Sequence, residues 1–286
     1  MEADEARLKE WIGKSEMARD LIALERCRAM QATLDRTEPL LQLESPLPPL
    51  WHWLYFWVIA PRSKLGRDGH PALGGFLPPV GTARRMWAGS RVSFPQPLRI
   101  GEHAERHSTI KDVSVKTGRT GRLVFVTVRH QVAGASGVAV IDEHDIVYRE
   151  DVGAGSSGRP GTPAPAEPSY AEEVKADATM LFRYSALTFN GHRIHYDRAY
   201  ATQVEGYPGL VVHGPLLATL MVDLAARSWP HRRIANFEFR GLRPIIDTDA
   251  FTVCAAPKTR DILDVWIADC HGMLAMQGQT GFSAAA

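Results

Sequence analysis

A stretch near the middle of this chain cannot form a packed element, and it restricts the fold more than any other feature. From Val152 to Ser169 the sequence reads VGAGSSGRPGTPAPAEPS, dominated by glycine and proline with almost nothing to bury. Glycine is costly to order and proline removes backbone donors, so the stretch reads as an extended linker. Taken as 152–174, it divides the 286 residues into a part at 10–151 and a part at 175–286. With 45% hydrophobic and 23% charged residues overall, a disordered chain, a collagen-like fibre and a small disulfide scaffold are excluded.

The two parts share a plan. In the first, Leu24, Cys27, Met30 and Leu34 recur at helical spacing within 22–35. Strands are predicted at Leu123–His130 (LVFVTVRH) and Val138–Ile141, with Gly118–Gly121 (GRTG) as the hairpin turn after Asp112–Lys116. Trp51, Trp53, Tyr55 and Trp57 alternate at period two and predict one face of a strand. His103 and His107, among Glu102, Glu105 and Arg106, read as a solvated surface turn. The second part predicts a helix over 215–227 and strands near 232–240, 249–256, 262–269 and 273–282. Pro215 suits a first helical turn, and Leu216, Leu217, Leu220, Met221 and Leu224 repeat on one side. Asp223 and Arg227 are placed for an i,i+4 ion pair. One long helix with several antiparallel strands in each part predicts an α+β fold, a helix lying on a curled sheet.

Charge and cysteine usage narrow the function classes. Lys and Arg number 33 against 32 Asp and Glu, a formal net charge of +1. No global field for a nucleic acid or an anionic membrane follows from that balance. The acidic N-terminus lacks the plan of a signal peptide, and the apolar run Trp51–Ala60 is too short to cross a bilayer. Cys27, Cys254 and Cys270 form neither a disulfide framework nor a metal-ligand spacing. A soluble cytoplasmic protein with a small-molecule partner is the expectation. No glycine-rich phosphate loop is present, so no dinucleotide cofactor is predicted.

The chemistry is concentrated in residues 185–214, SALTFNGHRIHYDRAYATQVEGYPGLVVHG. Asn190, His195 and Asp197 lie close together in sequence, and His213-Gly214-Pro215 opens the apolar helix. An imidazole, an amide and a backbone N–H at a helix N-terminus can together activate water and polarise a carbonyl. Each residue also has a structural reading: His195 as a buried, satisfied histidine, Asn190 as a turn cap, Gly214 as a tight helix start. His192, His195 and His213 lack the further fitted ligands of a metal site, so no metal is predicted.

This segment is similar to the hydratase motif of MaoC-like hot-dog proteins, S-G-D-x-N-P-x-H-x-D followed by H-G-x-L and the central helix. It resembles more closely a subgroup of two fused hot dogs, through LTFNGHRIHYD and YPGLVVHGPL. That subgroup includes mesaconyl-C4-CoA and itaconyl-CoA hydratases and mitochondrial 3-hydroxyacyl-thioester dehydratases. GGFLPPV (74–80), RRMWAGS (84–90), DVSVKTGRTGRLVFVTVRH (112–130) and DIVYRE (145–150) extend the likeness into the first part. The resemblance implies a double hot-dog whose first half is non-catalytic, contributing structure and a substrate tunnel. It implies a catalytic second half that adds water reversibly to a 2-enoyl-CoA thioester. His195 then falls on the family's catalytic histidine and Gly214 on the glycine whose N–H binds the thioester oxygen. Asn190 stands where simpler hydratases have Asp, and an amide cannot take a proton. His195 is therefore expected to act as the sole base while Asn190 orients water.

The expected substrate is a short branched dicarboxylic acyl-CoA, itaconyl or mesaconyl-C4. The alternatives are dehydration of ordinary fatty 3-hydroxyacyl thioesters on CoA or acyl carrier protein, a hot-dog thioesterase, and a non-catalytic acyl-CoA-binding protein. A carboxylate-bearing substrate needs a cation, best a guanidinium. The candidate substrate-binding residues are Arg193, Arg84, Arg85 and Arg243, with His192 beside them. The resemblance implies no cofactor beyond the CoA of the substrate, and a homodimer or higher homo-oligomer.

Overall fold

In LVFVTVRH, Val124, Val126 and Val128 are buried while the residues between them are half-buried, the period-two signature of a strand with one face on a core. The structure, a computed structural model, describes residues 2–36, 39–80, 84–118, 121–149 and 161–283. Its first half contains α1 (Glu2–Lys9), β1 (Ser15–Leu21), α2 (Leu24–Thr33), β2 (Arg84–Ser93), β3 (His103–Gly118), β4 (Gly121–Gly134) and β5 (Gly137–Arg149). The second half contains β6 (Tyr170–Val174), α3 (Ala178–Thr188), α4 (Gly214–Ser228), β7 (Ile234–Gly241), β8 (Phe251–Thr259), β9 (Ile262–Ala268) and β10 (Leu274–Phe282).

All ten strands join one antiparallel sheet in the order β1-β3-β4-β5-β2-β7-β10-β9-β8-β6. Counted from its outer edge, each half runs first, third, fourth, fifth, second strand. The two halves thus repeat one topology and meet through their second strands, β2 on β7, with Val92 opposite Phe237. Helix α4 packs against β6, β7, β8, β9 and β10 of the second half. Its Leu216, Leu217, Leu220 and Met221 are nearly inaccessible, each worth roughly 1.5–3 kcal/mol of burial. Asp223 and Arg227 form the expected pair at 3.0 Å. Arg36 from the first half reaches across to Asp223 and Glu172, each at 2.9 Å. One apolar core containing residues of α2, α3, α4 and both halves of the sheet binds the molecule together.

Three expectations are corrected. Trp51–Leu54 is a 3-10 turn rather than a strand, because Pro48 and Pro49 precede Leu50, whose φ of 70° turns the chain. Trp53 donates from Nε1 to the buried Asp142 at 2.8 Å and holds that turn against β5. His103 and His107 lie in β3, paired with Leu21 and Met17, not in a turn. Their exposed character stands, since Ala104, Ser108 and Ile110 take the buried face. The linker expected to reach residue 174 ends earlier: Tyr170–Val174 pairs with β8. Residues 152–160 of that segment lie outside the described residues, as do 119–120 of the GRTG turn, though Gly118 pairs with Gly121 across it.

Candidate active site

Helix α3 stops at Phe189, which takes a left-handed conformation (φ 52°). Asn190 then folds back, its N–H donating to Ser185 O at 2.9 Å and its Oδ1 accepting from His192 N at 3.0 Å. This Asx turn leads into a 3-10 turn, Arg193–His195. Asp197 follows as a cap, Oδ1 accepting from Tyr200 N at 3.0 Å and Oδ2 pairing with Arg193. The chain returns through Leu210–Val212, His213 caps α4, and Gly214 is the first helical residue. As such Gly214 has no intrahelical acceptor for its N–H. The space around it is open: a side-chain carbon there would meet nothing within 4 Å.

His195 is buried, and its Nδ1 lies 2.7 Å from Val211 O. A carbonyl only accepts, so Nδ1 carries the proton and Nε2 keeps a free lone pair. Burial, with His192 next to it, lowers the His195 pKa to about 3. The ring stacks on His213, whose Nε2 meets Ser185 Oγ at 2.8 Å. Burial and the neighbouring His195 keep His213 well below ordinary histidine basicity.

The first half also reaches this site, through a loop that the sequence alone did not single out. Arg193 N donates to Asp68 O at 2.8 Å, and Arg193 Nη1 to Arg67 O at 3.0 Å. Gly69, at φ +90°, lies so close that a side-chain carbon would sit 2.0 Å from Gly191 O. Asp68 Oδ2 holds His70 Nδ1 at 3.1 Å. Burial opposes ionisation of Asp68, but the bonds from His70 outweigh it and bring its pKa to about 2. His70 faces His192 at 4.3 Å between ring centroids, and His192 faces His195 edge-on at 5.3 Å. Burial and then His70 lower His192 to about 3. The only local signal for this loop was the Asp68-Gly69 turn dipeptide. Its partner lies more than a hundred residues away, beyond any local pattern.

Of the expected substrate-binding residues, His192 lies within this cluster. Arg193 is committed to Asp197 and to the face of Tyr200 at 4.1 Å. Arg243 lies beside Gly161 and Met273. The side chain of Arg84 falls outside the described residues. Arg85 is half-buried, and its charge lowers the basicity of both His70 and His192. Asp68, His70 and His192 each offer a donor atom within 4.8 Å of the others. Three such donors can hold a divalent ion. Here, however, Asp68 is already bonded to His70, and the charge of Arg85 opposes a second cation.

Comparisons with known proteins agree with this architecture. The model of the hydroxyacyl-thioester dehydratase type 2 family matches residues 50–247. The chain is 47% identical over 248 residues to the mesaconyl-C(4)-CoA hydratase of Chloroflexus aurantiacus, covering 87% of this chain and 88% of that one. A MaoC-like dehydratase from Phytophthora capsici superposes with a TM-score of 0.72 at 12% identity, over 98% of this chain and 99% of that one. A Mycobacterium tuberculosis protein with a double hot-dog fold superposes at 0.60 and 12% identity, over 95% and 96%. With one topology repeated across a single sheet and its sequence matched over most of its length, the chain is a double hot-dog hydro-lyase and belongs to the hydroxyacyl-thioester dehydratase type 2 family.

Proposed function

We propose that this protein adds water reversibly to a short branched dicarboxylic enoyl-CoA, with mesaconyl-C4-CoA as its substrate. The observation that carries this reading is the 47% identity, along 87% of the chain, to a protein named for that reaction. The arrangement around His195 supports it. Neutral His195 removes a proton from water through Nε2, and the water oxygen bonds to the β-carbon. The electron pair of the double bond moves onto the thioester, whose oxygen becomes an enolate held by the Gly214 N–H. The proton on His195 then passes to the α-carbon, leaving the imidazole neutral again. Asn190 commits Oδ1 to the turn, which leaves its NH2 to donate to the water and orient it.

The reading needs no added cofactor, because one imidazole moves the proton both ways and the helix N-terminus stabilises the charge. It includes a cytoplasmic setting, in keeping with the free thiols of Cys27, Cys254 and Cys270, and a homo-oligomeric assembly. The family description favours a second reading, dehydration of ordinary 3-hydroxyacyl thioesters. Crotonyl-, itaconyl- and mesaconyl-C4-CoA separate the two when loss of enoyl-thioester absorbance is followed after dialysis against a chelator. Preferred hydration of the dicarboxylic substrates is expected. Turnover of crotonyl-CoA alone would transfer the assignment to the second reading, and turnover of none would remove both.

A further inference from the structure

We propose that Arg85, with Tyr148 beside it, receives the free carboxylate of the substrate and so selects a dicarboxylic acyl group over an ordinary fatty chain. The inference rests on the hydratase reading above. In mesaconyl-C4-CoA the free carboxylate is bonded to the β-carbon, the atom that water attacks. Any group that holds this carboxylate must therefore border the catalytic imidazole, and a planar guanidinium holds it best.

Arg193 and Arg243 are placed elsewhere, the first by Asp197 and Tyr200, the second beside Met273. Arg85 lies on β2 directly opposite Tyr148 of β5, and residues opposite one another in an antiparallel pair project from the same face. The loop that carries His70 to His192 covers this region, since its Phe76 and Leu77 pack on the apolar cluster containing Tyr148. The guanidinium is near enough to both imidazoles to weaken them as bases. Arg85 is half-buried and has no carboxylate partner among the described residues. The side chain of Tyr148 is 1% exposed, and its hydroxyl has no hydrogen-bond partner among them.

One buried hydroxyl and one half-buried cation, both without an acceptor among the described residues, thus share a face beside the imidazole cluster. Buried donors are costly to leave unpaired, and a carboxylate would satisfy both at once. Asp68 does not fill that role, because both of its oxygens are taken by His70. The positive charge of Arg85 also makes an anion, not a metal ion, the fitting occupant.

The test measures kcat/KM for mesaconyl-C4-CoA and crotonyl-CoA with the wild type, Arg85→Gln, Arg85→Lys and Tyr148→Phe. Each is scored by the ratio of the two values, which does not depend on the fraction of protein folded. Arg85→Gln is expected to lower the ratio about 10²-fold. Arg85→Lys should lower it about 10-fold, since the charge remains but the fork is lost, and Tyr148→Phe should lower it by a smaller factor. Should Arg85→Gln fail to fold, Arg85→Lys is read for the same ratio. A wild type that hydrates both substrates, with Arg85 variants of unchanged ratio, overturns this proposal alone. A wild type that hydrates only crotonyl-CoA overturns the substrate reading, and the Arg85 assignment with it.

Discussion

The His195 imidazole lies stacked on that of His213, with ring centroids 3.7 Å apart and planes 20° apart. A proton on either ring would bring a buried cation against the other, so both rest neutral. His195 is held by Val211 O and His213 by Ser185 Oγ. The proposed base is thereby held in one orientation by its own surroundings.

Replacing His195 by Ala removes the proposed base. We expect kcat to fall by about 10²–10⁴-fold, with a smaller effect on KM. Steady-state hydration assays with circular dichroism as a check on folding measure this. Near-normal turnover in a folded variant would take His195 out of the mechanism.

The depressed basicity of the cluster has two consequences for pH. His195, at about 3, stays neutral through the ordinary histidine range, so kcat/KM should stay level from about pH 8 to about pH 5. Stability behaves differently. In the unfolded chain His192, His195 and His213 would take up protons as pH drops below the ordinary histidine value of 6.5, while in the folded chain they do not. Their contribution is fully present above the unfolded value and is lost progressively as pH falls toward the folded values. Each adds a slope of about 1.4 kcal/mol per pH unit. Thermal melts between neutral and mildly acid pH should show Tm falling while kcat/KM holds. A Tm that rises on acidification would contradict the assigned neutral cluster.

Asn190 serves the turn with Oδ1, and in the proposed mechanism its NH2 orients the water. Asn190→Asp keeps the acceptor for His192 N and is expected to retain activity within about tenfold of the wild type. The new carboxylate should also raise the basicity of His195 and move the acid limb of the pH profile upward. Asn190→Ala loses both functions and should reduce rate and Tm together. Complete inactivity of a folded Asn190→Asp would mean that the amide donates an indispensable hydrogen bond.

Gly69 and Gly214 should respond to alanine in opposite ways. At Gly69 the added carbon collides with Gly191 O, at a positive φ, so Gly69→Ala is expected to lower stability by about 1–3 kcal/mol and to loosen the loop over His192. At Gly214 nothing stands within 4 Å, so Gly214→Ala should leave Tm unchanged. In the proposed mechanism the methyl would crowd the thioester oxygen held by the N–H of residue 214, and the rate should drop, by up to the about 10²–10³-fold that follows loss of such a donor. Chemical denaturation and initial rates on both variants distinguish the two effects.

Local patterns carried much of this structure. The period of the leucines after Pro215 located α4, and alternation located β7 to β10 to within a few residues. The same rule failed at Trp51–Trp57, because alternation in a short aromatic run does not reveal that Leu50 adopts a left-handed turn. Helix α3 was hidden for a related reason: its Ser185 and Thr188 sit in a polar run that reads as loop until packing on α2 is known.

The sequence by itself determined a two-part α+β chain, a histidine and a glycine poised before a buried helix, and a resemblance rich enough to suggest water addition. These depend on neighbours along the chain, within a few residues or one turn of helix. Only the tertiary structure decided that β2 and β7 join the halves into one sheet, and that a loop around Gly69 places Asp68 and His70 against His192. It also set Arg85 opposite Tyr148 on the face of β2 and β5. Such contacts join residues far apart in the chain. Close approach, burial and the loss of solvent screening set their energies, and these arise only once the halves have packed.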